Sequence, residues 1–277
     1  MNSNKVFFVK GCSYSHGAGL YYHKWLKDKE DGFKIKPHNH YDWVHHSEMI
    51  TDDDNKFRRD NSFIGLLSEE LGMDFIGGDD VGGGNESIIE SAEILFNGSI
   101  KRMIKDKVND RSVEFFLVQL THASRDFHRP INDEMKEWKD FKEPEVHFDE
   151  HLDKLVGRLD VLNEKCKEQN VPFYVMAMLN RMGNKVKEKE YFIPIVYEDN
   201  HYTSIEHLKE EKNCKVIKNY EDGKQKIHYY WDMEGKYTTV PLFLCDELYQ
   251  YGLRDTHLGL NGHKIVKDSI IKKIKGA

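Results

Sequence analysis

Three segments of this chain carry residue types that can do nucleophilic chemistry. "GCSYSH" (11–16) sets a cysteine, two serines and a histidine behind an apolar run. "RDTHLGLNGH" (254–263) sets Asp255 and His257 two apart. On an extended backbone, residues i and i+2 face one side, so Asp255 can orient the His257 imidazole. An imidazole held this way takes the proton of a nearby hydroxyl and turns it into a nucleophile. Between these two lies "GGDDVGGGNES" (77–87), with five glycines in its first eight residues. Gly82, Gly83 and Gly84 leave the backbone open to close approach, and Asn85 follows as a helix cap. Such a turn could also cradle a phosphate. It lacks the GxxxxGK[ST] pattern, however, and follows the second strand, not the first.

The first segment offers three nucleophiles. Neighbouring side chains on an extended stretch point opposite ways. With Ser13 facing a cleft, Cys12 packs inward as a small hydrophobe. Ser15 then reads as a cap or a hydrogen-bond partner. A further cluster, "KPHNHYDWVHHSEM" (36–49), holds His38, His40, His45, His46 and Glu48. HxH and HH pairs can bind zinc. Here they lie in a stretch rich in Tyr and Trp, which reads instead as a solvated or substrate-contacting loop. No metal or other cofactor is expected. His16 follows the Ser13 turn, and His122 and His128 could line a cleft.

Apolar runs alternating with helix-period segments supply the elements that must position these groups. "KVFFVKG" (5–11), "MDFIGG" (73–78), "VEFFLVQL" (113–120) and "VPFYVMAML" (171–179) predict strands. They are continuous apolar runs, which suits a sheet covered on both faces. "NSFIGLLSEELGM" (61–73) predicts a helix capped by Asn61 or Ser62 and stopped at Gly72. "NESIIESAEILFNG" (85–98) predicts a helix ending near Gly98. A long amphipathic helix is expected over 148–170 and a closing one over 260–276. This order predicts an α/β fold, a three-layer α/β/α sandwich on a parallel sheet. One domain is expected over 1–277. The segments at about 20–60, 127–147 and 181–250 read as insertions over one rim, the third with some β structure at 226–233 and 238–244.

Composition narrows the function classes. The 41 basic and 48 acidic residues are spread along the chain, with a net charge of −7 and no basic block, which speaks against nucleic-acid binding. No run approaches the roughly 18 apolar residues of a membrane span. The apolar stretch Val6–Val9 is too short for a signal peptide, so a cytoplasmic setting is expected. The four cysteines make no CxxC pair, which speaks against a disulfide scaffold.

Taken in order, the segments resemble the SGNH hydrolases, the GDSL-type esterases and lipases. That family has a flavodoxin-like sheet and a GDS-type turn after the first strand. Gly11-Cys12-Ser13 matches that turn in a GCS-type variant, which implies Ser13 as nucleophile. The family's second block lends a glycine N–H to the oxyanion hole. The match is Gly84, with Asn85 beside it. The third block normally ends GxND. Here it reads "LTHASR", so Thr121 or His122 stands at that place, with Arg125 to help. The family's last block carries the acid and base of the triad, matched by Asp255 and His257, with Gly262-His263 entering the last helix. The resemblance implies hydrolysis of a small acyl ester, first of all one on a carbohydrate. The altered third block and the short DTH also fit a second class, an SGNH-fold protein that binds carbohydrate or a protein partner without catalysis.

Overall fold

The apolar runs pair into one all-parallel sheet. β1 (Lys5–Gly11), β2 (Asp74–Asp79), β3 (Ser112–Leu120) and β4 (Phe173–Ala177) lie in the order β2-β1-β3-β4. The computed structural model describes residues 4–17, 20, 51–79, 84–106, 111–121, 144–211, 215–221, 224–230 and 258–276. Consecutive residues of β1 and β3 alternate between faces, yet Val6 to Val9 and Phe115 to Val118 are all buried. Both faces are therefore covered. The Phe7 and Phe115 rings stack across the strand pair, 4.8 Å between centroids.

Helices provide the cover. α1 (Ser13–His16) is a single turn directly after β1. α2 (Asp52–Asn61) opens with a capping box between Thr51 and Asp54. In α3 (Phe63–Leu71) the Ser62 hydroxyl accepts from Gly65 N–H, and Gly72 ends the helix in the left-handed region at φ 62°. α4 (Asn85–Leu95) runs through a π-helical turn (Phe96–Ile100) into α5 (Lys101–Asp106). α6 (Pro144–Glu168) precedes β4. After β4 come α7 (Asn180–Val186), the hairpin β5 (Ile195–Tyr197) and β6 (Asn200–Tyr202), and α8 (Ile205–Glu211). A second hairpin, β7 (Lys215–Glu221) and β8 (Lys224–Tyr230), and α9 (Leu260–Lys275) complete the described chain.

α3 packs against α9, and α4 against α6. Arg158 of α6 grips Glu93 of α4 with two hydrogen bonds, at 2.8 and 3.2 Å. From β1 the chain steps to β2 on one side, then back across β1 to β3 on the other. Right-handed crossovers in opposite directions set their helices on opposite faces. This is compatible with the expected three layers. No described helix is long and apolar enough to cross a membrane.

Three expectations are corrected. The helix from residue 85 does not stop at Gly98. That glycine is exposed, takes no left-handed turn and lets the helix run on through the π turn. Asn85 is not the cap. Gly84 holds that position, and Asn85 is the first helical residue, fully buried. The stretch from 181 is not wholly a rim insertion. Met182, Val186, Phe192, Ile193 and Leu208 join the core. Phe192 bridges Val175 in parallel, with Val175 N–H on Tyr191 O and Ile193 N–H on Val175 O, both 2.8 Å. β8 covers most of the β structure expected at 226–233. The strand expected at 238–244 and the segments 21–50 and 122–143 lie outside the described residues.

Candidate active site

The strand order reverses between β1 and β3. In open parallel sheets the crevice at such a switch point, outside the carboxyl ends, is where ligands bind. Gly11 ends β1 there and Leu120 ends β3. Ser13 opens α1 two residues beyond Gly11, and Thr121 follows β3 directly.

The turn before Ser13 is tightly held. His16 N–H reaches back to Cys12 O at 3.0 Å, and the Ser15 hydroxyl donates to the same oxygen at 2.7 Å. From β3, Gln119 Oε1 accepts from Cys12 N–H at 3.2 Å. The Gln119 amide also donates to Leu120 O at 2.6 Å, and Cys12 Sγ lies 3.4 Å from its Oε1 and 3.5 Å from its Nε2. Cys12, Ser15 and Gln119 are all buried. Gly11 leaves the room they need. A β-carbon there would sit 2.8 Å from Ser15 Cβ and 2.9 Å from Gln119 Oε1, closer than real contacts allow. Cys12 packs into the core.

Beyond α1, Arg58 of α2 donates to His16 O at 2.5 Å. Gly17 turns the chain at φ 75°, and a β-carbon there would lie 3.1 Å from Ser62 Cβ. Ser62 caps α3, whose first N–H, on Phe63, is accepted by His263 Nδ1 at 3.1 Å. The His263 ring also stacks on Phe63, 5.9 Å between centroids. His263 is the fourth residue of α9. A chain of contacts thus links the Ser13 turn to the first turn of α9.

Gly84 is buried and its carbonyl accepts from Ile88 N–H at 3.1 Å. Asn85 meets Thr121. Its Oδ1 accepts from Thr121 N–H at 2.7 Å, and its Nδ2 donates to Thr121 O at 3.3 Å. Among the described residues the Thr121 hydroxyl is buried without a hydrogen-bond partner. Ser13, Gly84, Asn85 and Thr121 therefore all flank the carboxyl end of the sheet, with Asn85 and Thr121 in direct contact. Arg125, Asp255 and His257 lie outside the described residues, as do His122, His128 and the histidines at 38–46. No described cluster of three His, Cys, Asp or Glu could hold a metal. Gln119 escapes the sequence reading of the site. Its only signal is one amide in an otherwise apolar strand end.

A cavity of about 390 Å³ lies elsewhere, among Arg59, Asp60, Ser68, Glu69, Met73 and Asp74. Asp74 begins β2, so this cavity is at the amino end of the sheet, away from the switch point. Its lining mixes both charge signs, and Asp74 is already paired with Arg111 at 3.0 Å.

No protein-family model matches the chain, and neither a curated protein nor a solved structure does.

Proposed function

We propose that this protein is a serine ester hydrolase of SGNH type. The observation that carries the reading is the place of Ser13. It opens α1 at the carboxyl end of β1, beside the switch point, on a turn braced from β3. The order β2-β1-β3-β4 is that with which a flavodoxin-like sheet begins, which supports the family resemblance.

In this reading His257, oriented by Asp255, takes the Ser13 proton. Ser13 Oγ attacks the ester carbonyl and a tetrahedral oxyanion forms. N–H groups of Ser13 and Gly84 hold that oxyanion. The intermediate collapses, His257 hands its proton to the departing alcohol, and Ser13 is left acylated. Water, deprotonated by His257, then attacks the acyl group and releases the acid and free Ser13. The residue roles follow from the resemblance, as does the substrate class, a small acyl ester on a carbohydrate.

The test is fluorophosphonate labelling and p-nitrophenyl acetate hydrolysis by the full chain, beside Ser13→Ala. The expected result is a single phosphonylated serine at position 13, and turnover lower by at least about a thousandfold in the variant. An unlabelled wild-type protein, or a variant that still labels, rejects the reading. It would leave the non-catalytic binding protein.

A further inference from the structure

We propose that Ser15 and Gln119 are positioning residues that set the direction of the Ser13 N–H for oxyanion binding. The proposal rests on the serine-hydrolase reading and deepens it. The two side chains seize Cys12 from either end. Gln119 Oε1 accepts from its N–H at 3.2 Å, and Ser15 Oγ donates to its carbonyl at 2.7 Å. His16 N–H donates to that carbonyl as well, at 3.0 Å.

The Cys12 carbonyl and the Ser13 N–H belong to one planar trans peptide, so they point in opposite directions. Two donors hold the carbonyl on the α1 side. The Ser13 N–H is therefore turned away from Ser15 and His16, and its direction cannot drift while those bonds persist. An N–H fixed in advance is what a developing oxyanion requires, because no reorganisation is then needed at the moment of reaction. Gln119 adds the second constraint. It is anchored through Leu120 O on β3, so the peptide ahead of Cys12 is referenced to the sheet and not only to its own turn.

Burial argues that these amides and hydroxyls are there for direction. Ser15 is 1% exposed and Gln119 0% exposed, beside the buried Cys12. A polar group in such a place is costly unless its hydrogen bonds are made. An apolar residue would fill the same volume at lower cost. Gly11 has no β-carbon to disturb either side chain, so the turn is built around both.

The experiment compares full-length wild type, Ser15→Ala, Ser15→Thr and Gln119→Met. Thermal melts establish folding, and p-nitrophenyl acetate kinetics and fluorophosphonate labelling rates report function. Ser15→Ala and Gln119→Met are expected to lower kcat by about 10- to 100-fold with KM nearly unchanged. Ser15→Thr keeps the hydroxyl and is expected to recover most of the loss. If Ser15→Ala does not fold, Gln119→Met carries the decision by the same kcat readout. A folded variant that turns over and labels as fast as wild type overturns the role of that residue. So does a Ser15→Thr protein as slow as Ser15→Ala. If neither Ser15→Ala nor Gln119→Met folds, the pair is structural only and the proposal is wrong. Labelled wild type with unimpaired variants defeats this proposal alone. Unlabelled wild type defeats the serine-hydrolase reading, and this proposal with it.

Discussion

The side-chain amide of Asn85 holds both backbone polar groups of Thr121, accepting from its N–H at 2.7 Å and donating to its carbonyl at 3.3 Å. One side chain thus stands in for a strand partner where β3 has run out of sheet. It ties the glycine-rich turn before α4 to the end of β3. Asn85→Ala removes both bonds and strands two buried groups. The expected loss of stability is roughly 2–4 kcal/mol, read from urea unfolding. A loss below about 1 kcal/mol would mean that Thr121 finds other partners.

Two glycines should respond in opposite directions. A β-carbon at Gly65 would run into the Arg59 carbonyl, with Arg59 C only 2.9 Å away, where α2 turns into α3. Neither side can yield without moving backbone, so Gly65→Ala should destabilise by about 1–3 kcal/mol. A β-carbon at Gly98 meets nothing within 4 Å, and the residue is exposed and helical. Gly98→Ala should stabilise by roughly 0.5–1 kcal/mol. Paired thermal melts check both signs. A stabilised Gly65→Ala would contradict the tight approach of the two helices.

Alkali should weaken the fold through Cys166. Burial pushes this thiol up from 9.0 to about 12. The folded state then holds the proton more tightly than the unfolded chain does. The resulting stability is complete below pH 9.0 and is lost as pH rises toward about 12. Tyr191 is pushed the same way by burial and by its hydrogen bond to Asp160 at 2.8 Å. Urea melts from about pH 8 to 11 should therefore show falling stability, with a shallower fall in Cys166→Ala. Parallel curves would remove Cys166 as a source.

Elements built from long-range apolar order were plain in the sequence. β1 and β3 are continuous apolar runs because both their faces are covered. α3 announced its ends through Ser62 and Gly72, since each satisfies a local backbone need. Asn85 misled for the opposite reason. A cap is a local preference, and the backbone N–H and carbonyl of Thr121, just past β3, offered the same side chain two hydrogen bonds. Tyr191, Phe192 and Ile193 escaped notice because Pro194 cuts the apolar run after three residues, too few to carry a period. Their place beside β4 is set by the bridge to Val175. For the candidate site, the turn at Ser13 and the approach of Gly84 and Asn85 to Thr121 follow from strand ends. Gln119 does not, since the backbone N–H it accepts from, that of Cys12, lies 107 residues away.

The bond from Phe63 N–H to His263 Nδ1 joins residues 200 apart in the chain. Its effect is temporal as well as spatial. On a ribosome moving at about 5–20 residues per second, α3 waits roughly 10–40 s for the helix that covers it. Through that interval the face carrying Phe63, Ile64 and Leu67 lacks its α9 neighbours. A nascent chain stalled before residue 260 keeps this apolar layer open. The synthesis of α9, and not only that of α3, therefore sets when this layer is covered.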